Sequence, residues 1–506
     1  MSAIVPRFGN CETIALRAIP TFGMEEFRSR TISAIVDGAR IAAFFGRPGA
    51  GDEILLTVVL VHGDTGNLSA LSTAVRGEYP ALTPVCPQAH WFEREISEQW
   101  GVIPQGHPWL KPIRFHKSYV EGKDAWGRDP KAEILPSVTD FFRLEGEQAH
   151  EVAVGPVHAG VIEPGHFRFQ CFGEEVAHLE ISLGYQHRGI EQALPGCGGR
   201  KRMALIETMA GDTTVAHSTA FCQAIEALRG GTAPARAEVI RGIALELERM
   251  ANHTGDLGAL AGDVGYLPTM SYCGRLRGDL LNMTALLCGN RFGRGLVCPG
   301  GVRYDLDRSR ADELIARLTN TMRDIESATE LLWTTPSVLG RFEETGTVLR
   351  EDAVQLGLVG VAARACGIER DSRFEIPSGV FLTSQMPVAT WTSGDVFARA
   401  WVRWLEIEYS SAFIREQLSM LPEGALCDDV PELEPDAMAV SIVEGWRGEV
   451  CHVVMTDSRG EVARVKVVDP SFHNWQGLAM SLRNQQISDF PLCNKSFNLS
   501  YCGHDL

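Results

Sequence analysis

The sequence predicts an α+β protein: a small α+β N-terminal domain, then a helical bundle flanked by small antiparallel sheets. Three observations carry this. Apolar residues recur at three-four spacing through the middle third. A hairpin-like pattern centred on Gly173 precedes that region, and a β-branched alternation follows it after Pro435.

In chain order, residues 1–118 form the first domain, with short apolar strands and turn-rich loops. The longest apolar stretch, ILLTVVLV from Ile54 to Val61, has strand length, well short of the roughly 18 apolar residues of a membrane helix. Residues 119–150 are polar, with GKDAWGRDPKAE at the centre, and read as a linker or surface strap. The second domain is expected over 151–506. Its first element is a strand pair, Val161 to Phe172 and Glu175 to Ile181. From Ala237 to Leu260, residues Val239, Ile240, Ile243, Ala244, Leu247, Met250, Ala251 and Leu257 make a buried helical stripe. Segments 203–228, 276–289, 308–333 and 396–420 look similar, which implies a bundle. AVSIVEGWRGEVCHVVMTDSRGEVARVKVV then reads as an antiparallel sheet with an SRG turn.

Composition narrows the function. At 506 residues, with 45% hydrophobic and 22% charged, the chain is a globular protein of several units. Its net charge of −17 opposes nucleic acid and unaided docking on an anionic membrane. The N-terminus lacks the basic-then-apolar layout of a signal peptide. The 13 cysteines are scattered, odd in number and never three apart, so no CxxC exists. That pattern suggests reduced thiols in a cytoplasmic protein and excludes the common zinc-ribbon and ferredoxin loops.

Five polar clusters stand out, each with a plain alternative. GPVHAGVIEPGHFRF places His158, Glu163 and His166 in a Gly/Pro-rich loop, suited to proton transfer or simply a polar hairpin. Tyr185-Gln186-His187-Arg188-Gly189-Ile190-Glu191 is a polar cluster or a helix start. Glu246, Arg249, His253 and Asp256 share one helix face, either functional or a solvated salt-bridge face. Glu444-Gly445-Trp446-Arg447-Gly448-Glu449 is a site or a turn. Asp469-Pro470-Ser471-Phe472-His473-Asn474-Trp475 is a helix start, with Ser471 as a capping candidate. None identifies a function alone.

Taken in order over about 350 residues, GPVH, YQHRGIE, the E-R-H helix, WRGE and DPSF resemble the family of complex I quinone-site subunits and group-4 nickel–iron hydrogenase large subunits. HSTAF (217–221) and GHFRF (165–169) resemble its formate hydrogenlyase branch. His90-Trp91-Phe92-Glu93-Arg94-Glu95, Gly101 and Gly106-His107-Pro108-Trp109-Leu110 resemble the small peripheral-arm companion subunit of complex I, fused ahead of the large subunit.

The resemblance implies a hydrogenase large-subunit-like fold with a cavity where the hairpin loop, the bundle and the C-terminal tail meet. It implies catalytic roles for Glu163 as proton-transferring carboxylate, for Arg447 above the site and for His158. It implies cofactor contacts from His158, His166, His187, Arg188, His217 and Asp505, and it predicts that His158, Glu163, His217, Arg447 and residues 500–505 converge. The family's four nickel-ligand thiolates fall at Ala210 and Thr213, anchored on HSTAF, and at Ser500 and Gly503, anchored on NLSYCGHD. None is a cysteine, and the short tail that active relatives lose after metal loading is not expected beyond Leu506. A nickel–iron centre and any other metal in this chain are therefore not expected; a quinone is the remaining cofactor candidate, although no quinone-site tyrosine is assignable. NAD enters only at the level of the family. The expectation is a nickel-free redox subunit at the inner face of the cell membrane, held by an iron–sulfur small subunit and antiporter-like membrane subunits. It would pass electrons from the cluster of that partner to a quinone-like acceptor, with coupling to ion translocation. The alternatives are a catalytically silent coupling subunit and, last, an active hydrogenase.

Overall fold

The computed structural model describes residues 4–129, 131–158, 162–429 and 432–506. Strand β1 (Thr13–Ala15) leads into a sheet built on three long antiparallel strands, β2 (Arg40–Pro48), β3 (Ile54–His62) and β4 (Asn67–Val75). Their nearly continuous burial reflects cover on both faces. Helix α1 (His90–Trp100) packs on β2, and Gly46 makes room for the Trp100 indole, which a Cβ there would meet at 2.6 Å.

Helix α1 is buried although it carries three glutamates, because each has its partners. Glu93 accepts from the Leu82 and Thr83 amides, and Glu95 pairs with Arg114 and Lys466. Glu98 accepts from the amides of Ile113, Arg114, Phe115 and His116, which fixes the entry to the polar segment. Among its described residues, that segment has no helix or strand before β5 (Ala149–Val154).

Strands β6 (His166–Phe172) and β7 (Glu175–Ser182) form the expected hairpin around Gly173, and β5 adds to β6. The expected start of that hairpin, Val161, lies outside the described residues, and residues 162–165 are not strand, so β6 begins later than expected, at His166. The helical third then follows. The segment expected as one helix over 203–228 is two: α2 (Gly199–Glu207) and α3 (Thr214–Leu228). The break at 208–213 frees the backbone that carries Asp212. Helix α4 (Ala235–Asp263) is the centre of the bundle, packed by α5 (Leu267–Cys288) and, farther on, α7 (Val396–Ser419). A two-residue-strand hairpin, β8 (Val297–Cys298) and β9 (Gly301–Val302), precedes α6 (Arg308–Thr334).

The Glu246/Arg249/His253/Asp256 face is not solvated. All four side chains are buried and paired, Arg249 with Glu246 and Glu406, His253 with Glu406, and Asp256 with Arg403. Charge spacing along one helix did not reveal the complementary Glu406 and Arg403 on α7.

The C-terminal sheet comprises β10 (Ala437–Gly445), β11 (Gly448–Thr456) and β12 (Val462–Val468), as the alternation predicts. Its fourth strand is β1, so the N-terminal segment completes the C-terminal sheet. Helix α8 (Pro470–Ser481) is capped by Asp469, not by Ser471: the Asp469 carboxylate accepts the Ser471 amide. Helices α9 (Phe490–Phe497) and α10 (Tyr501–Asp505) close the chain. Among the described residues, no helix is long and apolar enough to cross a membrane.

Candidate functional site

Residues 446 and 447 form the tight turn between β10 and β11. Trp446 donates its indole N–H to the Asp212 carbonyl at 2.9 Å, and the Arg447 guanidinium lies 3.8 Å over the Trp446 ring. Arg447 donates to both Asp212 carboxylate oxygens, at 2.7 and 2.8 Å, and to the Thr213 hydroxyl at 3.2 Å. Its Nε donates to the Asn498 carbonyl. One arginine thus ties the sheet turn, the α2–α3 break and the C-terminal tail together. Burial works against its charge, but the Asp212 carboxylate prevails and raises Arg447. Asp212 is lowered in turn: burial opposes this and Arg447 overcomes it.

The tail is fixed at successive residues. Asn498 donates to Asp256 at 2.6 Å, the Ser500 amide donates to Ser471 Oγ at 2.8 Å, and Ser500 Oγ accepts the Gly503 amide at 2.9 Å. Glu163 reaches the tail from the hairpin loop and accepts the Tyr501 amide at 3.3 Å. Gly165 allows this approach: a Cβ there would strike the Tyr501 ring at 2.5 Å. The Cys502 sulfur lies 3.4 Å from Ser500 Oγ, and its thiol is pushed up to about 12 by burial and by the Glu163 charge.

Behind the tail lies a fully buried polar chain. His217 Nε2 is 3.1 Å from Asp469 Oδ2, and His217 Nδ1 is 3.0 Å from His452 Nε2. Burial works to raise the Asp469 carboxyl, but His217 and Arg447 hold it below its ordinary range. An ionised Asp469 requires His217 to donate from Nε2. His217 Nδ1 and His452 Nε2 share one hydrogen bond, and His452 Nδ1 is buried with no hydrogen-bond partner. Burial, then His217, holds His452 well below the usual imidazole range, so His452 is neutral.

A second group binds the outer side of the tail. Asp505 accepts the Gly184 and Gln186 amides at 2.8 and 2.9 Å. His187 donates from Nδ1 to the Asp505 carbonyl at 2.7 Å and stacks on His116 at 4.6 Å. Burial, followed by His116 and Arg114, pushes His187 down to about 4. Arg188 holds the Thr208 and Met209 carbonyls and so pins the α2–α3 break.

The expected residues therefore separate into three sets. Glu163, Arg447 and His217 reach the tail or the polar chain beside it, whereas His187, Arg188 and Asp505 form the outer group. His158 and His166 bond back to the β5–β6 connection: His158 donates to the Gly165 carbonyl at 2.9 Å and His166 to that of Gly155 at 3.2 Å. Sequence reasoning missed Asp212, Asn498, His452 and the role of Asp469. Asp212 stands inside AGDTTVAHS, between the expected thiolate positions Ala210 and Thr213.

Side chains at the four expected thiolate positions do not fit a nickel–iron centre. Ala210 and Gly503 have no donor, the Thr213 hydroxyl bonds Asp212, and the Ser500 hydroxyl caps α10. A Cβ at residue 503 would also meet the Asp469 carboxylate at 2.6 Å. Among the described residues, no three His, Cys, Asp or Glu side chains are grouped to hold a metal.

Comparison with known proteins agrees with this architecture. The family described as respiratory-chain NADH dehydrogenase, 49 Kd subunit, matches residues 263–437 and 432–505, and the 30 Kd subunit family matches residues 47–129. The chain is 30% identical to hydrogenase-4 component G of Escherichia coli over 442 residues, covering 86% of this chain and 77% of that protein. It is 30% identical over 437 residues to formate hydrogenlyase subunit 5 of Escherichia coli, covering 85% and 77%. It is 30% identical over 363 residues to NADH-quinone oxidoreductase subunit 4 of Thermus thermophilus, covering 66% and 89%.

Proposed function

We propose, on the premise that this chain belongs to the family that joins fused NADH dehydrogenase 30 and 49 Kd subunits to group-4 hydrogenase large subunits, that it is a nickel-free redox subunit of a membrane-associated complex. It receives electrons from an iron–sulfur partner and delivers them to a quinone-like acceptor, and antiporter-like membrane subunits couple that transfer to ion movement. The observation that carries this reading is the junction at the tail. Glu163 holds Tyr501 and Arg447 holds Asn498, three residues apart, while non-thiol side chains occupy the expected ligand positions. A carboxylate and a guanidinium facing one tail segment can bind and protonate a carbonyl acceptor without a metal.

Purification of the intact complex tests this. Iron in a partner subunit, no stoichiometric nickel and saturable binding of a quinone analogue are expected. The binding should weaken at least about tenfold in Glu163→Gln, since a charge-assisted hydrogen bond contributes about 1.5–3 kcal/mol. Stoichiometric nickel would overturn the proposal.

A second reading, a catalytically silent coupling subunit, is favoured by one feature: Arg447 is already satisfied by Asp212, Thr213 and Asn498. Under that reading, Glu163→Gln leaves turnover of the complex unchanged.

A further inference from the structure

We propose that Cys298 and Cys427 form a dithiol that peroxide closes into an intramolecular disulfide. Their sulfurs lie 3.9 Å apart although 129 positions separate them in sequence. Cys298 ends β8 and is buried, whereas Cys427 sits on the loop before β10 and is exposed.

The approach is built into the backbone. Cys298 pairs with Gly301 across the β8–β9 hairpin, and Gly301 in turn bridges to Cys427. The Val302 amide donates to the Leu426 carbonyl at 2.8 Å, and the Asp428 amide donates to the Gly300 carbonyl at 3.0 Å. Two glycines leave the space in which the sulfurs meet. A Cβ on Gly300 would lie 3.2 Å from Cys427 Sγ, and one on Gly301 would lie 2.9 Å from Cys427 Cα. Both glycines have positive φ, at +92° and +155°.

A buried ion pair holds the hairpin from behind. Arg241 binds Glu226 and donates to the Cys298 and Gly301 carbonyls, both at 2.9 Å, while Glu226 accepts the Gly300 amide at 2.7 Å. Closing a bond of about 2.05 Å brings the two sulfurs together from 3.9 Å.

The chemistry balances with a peroxide as oxidant. The exposed Cys427 sulfur attacks one peroxide oxygen, the O–O bond breaks, and water leaves a sulfenic acid. The Cys298 sulfur displaces that hydroxyl, the S–S bond forms, and the second water departs. Two electrons pass from the sulfurs to the peroxide, and both thiol protons leave in water. The Cys427 thiol is pushed up to about 11 by desolvation and by the Cys298 sulfur. Its thiolate fraction, and hence the reaction rate, rises with alkalinity. The site is independent of the redox role proposed above.

Hydrogen peroxide treatment of the full-length chain, alkylation and non-reducing peptide mapping test the proposal. The expected product is a single cross-linked peptide joining residues 298 and 427, with two fewer titratable thiols and a higher melting temperature. Dithiothreitol should reverse all three. The initial rate should rise about tenfold per pH unit between pH 7 and 9. In Cys298→Ser, the Cys427 sulfur should accumulate as sulfenic and sulfinic acids; mapping of the wild-type chain decides the matter if that variant misfolds. Sulfinic acid on Cys427 of the wild-type chain with Cys298 still free, or a cross-link to another cysteine, would overturn the proposal.

Discussion

Asp212 closes on Arg447 through both carboxylate oxygens, at 2.7 and 2.8 Å, and this pair joins the α2–α3 break to the β10–β11 turn. Arg447 is 4% exposed, while the Asp212 side chain retains 33%. The pair is therefore partly screened on one side and desolvated on the other. Removing Asp212 leaves a buried guanidinium beside the tail.

Asp212→Ala should destabilise the chain by about 2 kcal/mol, between the roughly 1 kcal/mol of an exposed pair and the 3–5 kcal/mol of a fully buried one. Urea denaturation with an unchanged m-value measures this. A change below about 0.5 kcal/mol would mean that solvent already satisfies Arg447.

Asp469 predicts a pH effect of defined sign. Its carboxyl is held below the ordinary value, so its contribution is present above the unfolded pKa of about 3.9 and is lost as pH falls through the folded value. Asp469→Asn should cost about 1–3 kcal/mol at pH 7 by weakening the buried hydrogen bond to His217 and the cap of α8. The difference from wild type should shrink below about pH 4. Thermal melts at pH 7 and pH 3.5 compare the two.

His473 gives a second window. Burial, with Glu449 opposing, pushes it down to about 4, so the folded chain binds fewer protons than the unfolded chain between about pH 6.5 and 4. Its contribution is complete above about 6.5 and declines as pH falls. The wild-type chain should lose about 2 kcal/mol more than His473→Asn between pH 6.5 and 5. Parallel urea titrations at the two pH values give the difference, and equal losses would show that His473 protonates freely in the fold.

Restoring sulfur should not restore a metal centre. A Cβ at Gly503 meets the Asp469 carboxylate at 2.6 Å, so Gly503→Cys should cost about 1–3 kcal/mol through overpacking. The fourfold replacement of Ala210, Thr213, Ser500 and Gly503 by cysteine should remain free of nickel by elemental analysis after metal exposure. Stoichiometric uptake would show that the tail can move off Asp469.

Much of the fold was legible because local patterns encode it. The stripe from Val239 to Leu257 became the central helix, and the alternation after Pro435 became the C-terminal sheet. Pairing over long separations was not legible. Nothing near Thr13 announces that it completes a sheet with Ala439, because edge pairing depends on backbone geometry. The buried face of α4 read as solvated because Glu406 and Arg403 lie on another helix.

The sequence by itself determined the order of elements, the family signatures and the absence of cysteine at four positions, since these are properties of residue type and local spacing. Tertiary structure alone decided which ionisable groups meet: Asp212 with Arg447, Asp469 with His217 and His452, and Cys298 with Cys427. The physical reason is that a charge or a thiol acquires its chemistry from desolvation and from neighbours within a few ångströms. Those neighbours come from distant parts of the chain, brought together only when the core closes.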